Sequence, residues 1–466
     1  MTHPALPPIR VAPGGRYFET ADGQPFLLIG ANDAISWAGL AGLYRRRDVD
    51  GAAAYLADLA AHGITVLRLM LEYCQEDGWY FEQPAGTPDP AMLQYWDDLF
   101  GLCERLGLRV LLAPWDNFWM ARRWQQHPYN RRNGGPADSP AAFFGDDATI
   151  AATIRRLELV IERWGGSGVI AAWDLFNEID PFWGGDAGHQ ASVIGQLSAA
   201  IRAHERHCWG WSRPQTLSIF GPEPNDAYGE LIFRHPALDF ATTHIYYQGS
   251  IDFPEDTVAP AVAMARWVRH GLSHVPPGRP FTDTEHGPIH LFNDHERMLD
   301  EDFDDEYERH LMWAHLASGG AGSGMRWPAR NPHVLTAGMK RALKSLADFC
   351  QLIDWRHFAS RNAGQDVSVA TPGVLAFACR DDRQAVIWLL RGKPAGNPPG
   401  RLPRRAGLTG VELSLAGLRP GRYAVTPWDT LAGRPLPALE AVADDRLRLG
   451  IPCPENDLAL AVRRIE

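Results

Sequence analysis

Cysteine is scarce in this sequence and follows no recognisable pattern. The 466 residues contain six cysteines, with no C-x-x-C pair among them: Cys74, Cys103, Cys208, Cys350, Cys379 and Cys453. Structural zinc sites and disulfide frameworks need short, regular cysteine spacings. We therefore expect reduced thiols and no metal bound through cysteine.

Long apolar runs and an excess of positive charge are also missing. Nowhere do about 18 apolar residues run together, as a membrane-spanning helix requires, and residues 1–15 lack the basic and apolar segments of a signal peptide. The balance of 45 Lys and Arg against 56 Asp and Glu gives a net charge of −11. This balance argues against a nucleic-acid or membrane partner. We expect a cytoplasmic protein, with a trimmed signal peptide as the alternative, and the oligomeric state stays open.

Helical and strand patterns alternate through most of the chain. A hairpin over 16–30 turns at 21–23 and leads into the first of eight apolar strands. The strands are predicted at 25–29, 64–71, 108–114, 169–178, 215–220, 238–247, 280–286 and 319–327. Eight strand and helix units close most economically as a (β/α)8 TIM barrel, which we place at residues 1–354. A doubly wound open sheet is the competing fold, but no G-x-G-x-x-G follows the first strand.

The pattern changes in the last quarter of the chain. From Asp366 onward, short alternating runs such as VLAFACR and AVIWLLR are separated by Gly, Pro and Asp-Asp turns. Alternation of period two with frequent turns is typical of antiparallel β structure. The sequence therefore predicts a C-terminal antiparallel β-sandwich at residues 355–466.

The stretch from Val169 to Asp180, VIAAWDLFNEID, organises the barrel. Its apolar run is typical of a strand buried on both faces, and it ends on an amide and a carboxylate. In a TIM barrel the chemistry lies at the carboxyl ends of the strands, where a solvated strand end is the alternative reading. The polar residues predicted there are Asn32, Asp33, Arg68, Trp115, Asp116, Asn117, Asn177, Glu178, Glu223, His244, Tyr246, Glu285, His286 and Trp327.

Two of these residues are the candidate catalytic pair. Glu178 and Glu285 follow the fourth and seventh strands, so their side chains can face each other across the barrel mouth. Two opposed carboxylates are what hydrolysis of a glycosidic bond uses. Structural alternatives remain for their neighbours: Arg68 could pair with Glu72, His244 could be a hydrogen-bonded core residue and Trp327 could pack a loop.

Taken together, these residues resemble the clan A glycoside hydrolases, specifically family 5. The resemblance covers about residues 15 to 345 and rests on Asn-Glu after strand four, Glu after seven, Arg on two, His-x-Tyr on six and Trp after eight. A His is usual after strand three, where this chain has Trp115, Asp116 and Asn117. The long segment that follows resembles a bacterial branch of these barrels. Asn117, Trp115 and Trp119 suggest a mannan-active member.

The resemblance implies a role for each residue. Glu285 would be the nucleophile, ionised and held by Arg68, with Tyr246 donating to the same carboxylate. Glu178 would be the general acid and base with a raised pKa. The remaining substrate contacts would come from Asn177, to the sugar 2-hydroxyl, from Trp327, under the ring, and from Trp115, Asp116, Asn117 and His244. The two carboxyl groups should lie about 5 to 5.5 Å apart, the separation of retaining enzymes.

The expected activity is therefore a retaining β-glycosidase without metal or cofactor, acting on a β-mannoside, β-glucoside or related oligosaccharide. Two other classes stay open. A metal-dependent barrel hydrolase would use His286, His290, Asp294 and His295, although these lack a metal-like spacing. A barrel that binds carbohydrate without turnover is the third class, and the presence of both glutamates argues against it.

Overall fold

The computed structural model describes residues 5–143, 145–179, 186–224, 226–251, 254–289, 299–393, 396, 400–403, 405–453 and 455–465. The first of these residues form a small antiparallel sheet of three strands, Ile9–Val11, Phe18–Thr20 and Pro25–Phe26. The hairpin predicted at residues 16–30 is therefore confirmed. Across the described residues, no helix combines the length and the apolar character needed to cross a bilayer.

Parallel strands form a closed barrel after this hairpin. The strands are β1 Leu28–Asn32, β2 Val66–Met70, β3 Arg109–Ala113, β4 Ile170–Asp174, β5 in the two pieces Gln215–Thr216 and Ser218–Ile219, β6 Ala241–Ile251, β7 Phe281–Ile289 and β8 Gly322–Arg326. The first piece of β5 pairs with β4, the second pairs with β6, and β8 pairs with β1. The sheet therefore closes on itself, which confirms the (β/α)8 prediction.

Helices and short turns connect the strands of the barrel. They are α1 Val49–Ala61, α2 Pro90–Leu106, α3 Asn117–Arg122, α4 Pro140–Phe143, α5 Asp147–Trp164, α6 Ala187–Trp209, α7 Asp226–Tyr228, α8 Ala259–His274, α9 Glu301–Ala317 and α10 Ala337–Cys350, with a π-helical turn at Gly229–Phe233 and 3-10 turns at Ala41–Arg46, Arg131–Asn133 and Trp355–His357. Asp89 and Asp146 cap α2 and α5 by accepting backbone N–H groups. Both helices begin directly after these caps, where their apolar periodicity also begins.

Most strand boundaries differ from the prediction by a few residues, and the differences in β1 and β4 have a clear cause. The strand β1 begins at Leu28, because Pro25–Phe26 belongs to the hairpin. The strand β4 ends at Asp174, so Asn177 and Glu178 lie in the turn that follows it. The apolar pair Leu175 and Phe176 extends the hydrophobic run past the strand end, which is why the pattern overestimates its length.

The C-terminal β domain is a single hydrogen-bonded antiparallel sheet. Its strands are β9 Arg361–Asn362, β10 Val367–Val369, β11 Val374–Arg380, β12 Gln384–Arg391, β13 Leu408–Ala416, β14 Gly421–Asp429, β15 Arg434–Pro435, β16 Leu439–Ala443, β17 Arg446–Cys453 and β18 Asp457–Arg464. Their order is β9, β11, β12, β18, β14, β16, β17, β13, β10, and β15 pairs with β14. Residues from both ends of this sheet, such as Ile387 and Leu413, share one apolar core. The predicted antiparallel class is confirmed.

The domain packs on the barrel through a second apolar face. Trp388, Leu390 and Trp428 belong to the core that also contains the barrel residues. At the same contact, Asp457 accepts from the guanidinium of Arg309 on α9, from the Thr430 hydroxyl and from the Trp388 indole at 3.2 Å. Burial alone would raise the pKa of Asp457, but Arg309 and His310 outweigh it and hold the pKa below its ordinary value.

Replacing Asp457 with Ala should destabilise the protein by about 3 to 5 kcal/mol, because the buried Arg309 guanidinium loses its close ion pair and keeps the longer one with Glu306 at 3.9 Å. A depressed folded pKa means that the stabilisation is present at neutral pH and is lost as the pH falls through that value. Glu440→Ala, which removes the exposed pair with Arg422, should cost less than about 1 kcal/mol. Denaturant unfolding of both variants measures the difference. Equal losses would contradict the prediction.

Candidate active site

The guanidinium of Arg68 lies at the centre of the barrel mouth. It is 1% exposed and donates to Asp174 Oδ2 through Nε at 2.9 Å and through a terminal nitrogen at 2.7 Å. Its terminal nitrogens also reach Asn32 Oδ1 at 2.9 Å, Glu285 Oε2 at 3.1 Å and Asn177 Oδ1 at 2.6 Å. A planar donor fork can hold several acceptors in fixed directions. Arg68 therefore orients four residues at once, one on β1, one on β4, one in the turn after β4 and one on β7.

Glu285 is held at both carboxylate oxygens. Oε2 accepts from Arg68, and Oε1 accepts from the hydroxyl of Tyr246. Burial raises the pKa of Glu285 above its ordinary value, and His244 and Arg68 oppose this rise. The resemblance implied a pKa lowered by Arg68. The net direction is upward because desolvation of the enclosed carboxylate exceeds the attraction of the guanidinium.

Glu178 lies in a tight turn with a left-handed backbone. Its φ angle is 53°, a conformation that costs a non-glycine residue about 1 to 3 kcal/mol. Three hydrogen bonds hold this turn. The N–H of Glu178 donates to Ser218 Oγ at 2.9 Å, that of Ile179 to the Ser218 carbonyl at 2.9 Å, and that of Asn177 to Asn117 Oδ1 at 3.1 Å.

The Glu178 carboxyl shares a hydrogen bond with a neutral imidazole. His244 Nδ1 lies 2.6 Å from Glu178 Oε1 and 3.5 Å from Glu285 Oε2. Burial lowers the pKa of His244. Burial also raises the pKa of Glu178 to about 7, although Arg68 and Arg122 oppose the rise. One oxygen of each glutamate and His244 Nδ1 lie within 4.8 Å of one another. The two carboxylates are therefore adjacent but have different partners.

The residues that follow β3 lie in the wall of the site. Trp115 is 1% exposed, with the Arg156 guanidinium 3.6 Å from its ring centroid and Tyr129 packed at its edge. Asp116 caps α3 at Trp119 N and accepts from the N–H of Cys74 at 2.7 Å. Burial raises the pKa of Asp116 to about 7. These contacts give Trp115 and Asp116 packing and capping positions, and Asn117 supports the turn of Glu178. We propose no direct substrate contact for Trp115 or Asp116.

An aromatic wall surrounds the end of β8. Trp327 is partly exposed, and its backbone N–H donates to the His286 carbonyl at 2.7 Å. Trp37 packs edge-on against it with 5.0 Å between ring centroids, and Tyr73 lies at 6.5 Å. The indole of Trp119 donates to the Tyr73 hydroxyl at 3.2 Å. Half-exposed indole faces of this kind suit the apolar face of a sugar ring.

The segment between Trp115 and Asp147 contacts a buried ionic network through His127 and Tyr129. Glu72 accepts from Arg156 at 2.7 Å and lies 3.2 Å from His127 Nε2. Tyr129 donates to Glu82, which also accepts from Arg156. Burial raises the pKa of Glu72, but Arg156 and His127 outweigh it and lower the pKa to about 2. Glu72 is thus the partner of Arg156, and the alternative pairing with Arg68 is wrong.

Among the described residues, two groups of side chains could hold a metal ion by distance alone: Glu178, His244 and Glu285, and Glu72, Cys74 and His127. In the first group both oxygens of Glu285 already accept from Arg68 and Tyr246. In the second, Glu72 is neutralised by Arg156 and accepts from the N–H of Phe81. One carboxylate of each group is thus already compensated by a guanidinium, which weakens its attraction for a divalent ion. Of the alternative metal residues, His290, Asp294 and His295 lie outside the described residues.

Two residues of the site, Asp174 and Ser218, were not among those chosen from the sequence, and Asn32 was chosen only as a strand end. Asp174 pairs with Arg68 and is 0% exposed, Asn32 joins Arg68 to the carbonyls of Thr284 and Met325, and Ser218 supports the Glu178 turn. The signal for Asp174 was an acidic residue inside an apolar strand, which requires a buried cation. Asn32 lay on the list of strand ends, but nothing in its own neighbourhood indicated its partners.

Solved structures with this fold include several glycoside hydrolases. A glycoside hydrolase family 5 protein from Bacteroides vulgatus has a TM-score of 0.63 at 13% identity, over 99% of this chain and 95% of that one. A variant of a family 5 mannosidase from Rhizomucor miehei, in complex with mannosyl-fructose, has a TM-score of 0.55 at 14% identity, over 73% and 96%. A family 30 subfamily 8 xylanase from Clostridium acetobutylicum has a TM-score of 0.51 at 12% identity, over 93% and 95%.

No protein-family model and no curated protein matches the sequence. The structural similarity covers nearly the whole chain in two of these three comparisons. At such low identity it establishes a shared fold. At the level of the fold, the comparisons therefore support the resemblance to the clan A barrels of the glycoside hydrolases.

Proposed function

We propose that this protein is a retaining β-glycoside hydrolase in which Glu285 is the nucleophile and Glu178 the general acid and base. The observation that carries the proposal is the pair of carboxylates at one barrel mouth, with one oxygen of each within 4.8 Å. Retaining enzymes place the two groups about 5 to 5.5 Å apart, whereas inverting enzymes need roughly 6.5 to 9.5 Å for an intervening water. The observed spacing supports direct attack by a carboxylate.

The different partners of the two glutamates support this division of roles. Glu285 accepts from a cation and a phenol, which stabilise its negative form. The Glu178 carboxyl shares a hydrogen bond with His244, and its pKa of about 7 leaves a substantial fraction of the carboxyl protonated near neutral pH. The first step would form a bond from Glu285 to the anomeric carbon while Glu178 protonates the departing oxygen. In the second step Glu178 would deprotonate the water that releases the sugar.

The substrate we favour is a β-mannoside or β-glucoside. Asn177 Oδ1 accepts from Arg68, so its amide N–H2 is the group that we assign to the sugar 2-hydroxyl, a contact that strengthens in the transition state. Trp327 would form the platform under the ring. A mannosidase complex with mannosyl-fructose among the similar folds supports this preference. A location in the cytoplasm stays a prediction, which the six free cysteines agree with.

Aryl β-glycosides test the proposal. We expect release of nitrophenol from the β-mannoside or β-glucoside, with the β-anomer as the first sugar product in a proton NMR time course. A chelator should leave the rate unchanged. Formation of the α-anomer would show inversion, loss of activity with chelator would favour the metal-dependent class, and absence of turnover on every glycoside would favour a binding protein.

The pH dependence should report the proton on Glu178. Because a general acid must be protonated, kcat/KM for a substrate with a poor leaving group should fall as the pH rises through about 7. This fall in kcat/KM should be much weaker for a dinitrophenyl glycoside, because dinitrophenolate departs without protonation. Parallel pH profiles of the two substrates measure this. Superimposable basic limbs would contradict the assignment of Glu178 as the acid.

The anchored segment after β3 predicts action at chain ends. Within it, His127 lies 3.2 Å from Glu72 and Tyr129 donates to Glu82. These buried contacts make the segment a fixed wall on one side of the mouth, and a fixed wall would close a cleft into a pocket. We expect monosaccharide release from β-linked oligosaccharides, with little early loss of viscosity on a long polymer. A rapid fall in viscosity ahead of reducing-sugar release would show internal cleavage instead.

A further inference from the structure

An irregularity in β7 lies directly before Glu285. Along the β6 and β7 pairing, Thr243 is opposite Asp283 and His244 is opposite Glu285, so Thr284 is an extra residue on β7. Such a β-bulge re-aims the side chains beside it and leaves backbone groups without their ladder partners. At this position the bulge determines where the Glu285 carboxylate points.

One oxygen of the Asp283 carboxylate replaces the missing ladder contacts. Asp283 Oδ1 accepts from the N–H of Glu285 and from the N–H of Ile245, each at 3.2 Å. Ile245 lies between His244 and Tyr246 on β6. The single oxygen therefore ties the strand that carries Glu285 to the strand that carries its two neighbours. Asp283 is 0% exposed, so water does not compete for these contacts.

The other oxygen of Asp283 faces a cation. Asp283 Oδ2 lies 2.5 Å from His286 Nδ1, and His286 Nε2 lies 3.1 Å from Glu308 Oε2 on α9. Gly324 on β8 makes room for this pair, since a Cβ there would lie 2.7 Å from Asp283 Oδ2. Burial alone would lower the pKa of His286, but Glu308 and Asp283 outweigh it and raise the pKa to about 9.

Other titratable groups face Asp283 as well. His315 on α9 accepts from the Asp283 N–H at 3.1 Å, and burial lowers the pKa of His315 to about 4. His244 and Tyr246 interact with Asp283 electrostatically from β6. Both histidines are neutral at pH 7, because burial also lowers the pKa of His244. Charged His286 is therefore the cation that faces the Asp283 carboxylate.

We propose that Asp283 is a positioning residue that holds the bulge at Thr284 and thereby aims the Glu285 carboxylate at Arg68 and Tyr246. The inference rests on the proposed role of Glu285 as the nucleophile. Asp283 does not touch the substrate. It acts through the backbone of Glu285, and displacement of a reacting group by about 1 Å can cost on the order of 100-fold in rate.

Asp283→Ala and Asp283→Asn test the inference against a matched control. Asp283→Ala should lower kcat roughly 100-fold with little change in KM. In this variant Glu285 moves away from Arg68 and Tyr246, which both oppose its raised pKa. The acidic limb of the kcat/KM profile should therefore shift to higher pH. Asp283→Asn keeps one acceptor oxygen but presents an amide donor to His286. Its kcat should lie between those of the parent and of Asp283→Ala.

The control is Asp304→Asn on α9. Asp304 is 1% exposed and accepts from Arg326 at 2.5 Å and from Arg330 at 2.7 Å. Asp304→Asn therefore removes a buried ionic contact but no hydrogen bond to the backbone of a strand. We expect a lower melting temperature for Asp304→Asn, with kcat within roughly threefold of the parent and an unmoved acidic limb.

The outcomes separate the inference from the proposed function. The inference is overturned if Asp283→Asn has the kcat of the parent and an unmoved acidic limb in its kcat/KM profile. It is also overturned if Asp283→Asn and Asp304→Asn lose kcat equally and neither shifts the acidic limb. If Asp283→Ala does not fold, Asp283→Asn decides. If Glu285→Ala retains the parent activity, the proposed function fails, whatever the Asp283 variants show.

Discussion

Glu285→Ala should lose activity on every glycoside, by a factor on the order of 10⁵ in kcat. The variant lacks the atom that bonds to the anomeric carbon, so the quality of the leaving group cannot compensate. Arg68 and Tyr246 lose their shared acceptor but keep other contacts or packing: Arg68 still pairs with Asp174 and Asn177. We therefore expect a folded protein whose melting temperature can be compared with that of the parent.

A small anion distinguishes a missing nucleophile from a general loss of structure. Azide can enter the space left by the Glu285 side chain and attack the anomeric carbon from the nucleophile's face, expelling a dinitrophenolate. The product should be an α-glycosyl azide, which proton NMR identifies from its anomeric coupling. Glu223→Ala is the control, because Glu223 also follows a barrel strand but is exposed, and its kcat should stay near the parent value. Normal turnover by Glu285→Ala would disprove its role.

The barrel could be predicted from the sequence because each of its units carries local signals. The helix α2 is an example, since the Asp89 cap, Pro90 at its first position and Gly107 after its end all agree on its bounds. The division of the chain at residue 354 remains a proposal. Trp388 and Trp428 of the C-terminal strands belong to the barrel's own apolar core, and a shared core leaves no linker-like composition to read.

The site could be predicted in part. Side chains at strand ends converge in any barrel of this kind, and the resemblance to family 5 implied that Arg68 and Tyr246 contact Glu285. The roles of Asp174 and Asp283 were not predicted. Asp283 acts through a bulge that shifts the register of two strands, and a register is set by pairing across the sheet rather than by residues adjacent in the chain.

The residues after β3 show how little strand position says about burial. Trp115 was chosen for its place after the third strand and for the resemblance to mannan-active members, and it lies under Arg156 in the ionic network of Glu72 and Glu82. Side-chain type and position alone do not tell a half-exposed platform from a buried packing residue. The difference depends on the fold of residues 116–146, whose partners are far away in the chain.

Glu178→Ala should separate substrates by leaving group. Loss of the general acid should lower turnover of an oligosaccharide or alkyl glycoside by roughly 10² to 10⁴-fold, because the departing alkoxide needs a proton. A dinitrophenyl glycoside needs none, so bond formation to Glu285 should proceed and release phenolate in a burst. Turnover should then stall, because the same carboxylate must deprotonate the water that attacks the glycosyl-enzyme. Rapid-mixing absorbance measurements resolve the burst, whose amplitude should match the enzyme concentration.

Azide should restore the stalled turnover of Glu178→Ala, because it attacks the anomeric carbon without being deprotonated. The attack occurs on the face opposite Glu285, so the product should be a β-glycosyl azide, the opposite anomer from that expected for Glu285→Ala. The parent enzyme with azide serves as the control and should give free sugar. The two glutamates do not have the proposed roles if Glu178→Ala loses activated and natural substrates equally and does not respond to azide, or if the burst occurs in Glu285→Ala instead. Loss of the acid and base residue should leave phenolate release possible without azide, whereas Glu285→Ala should need azide for that release.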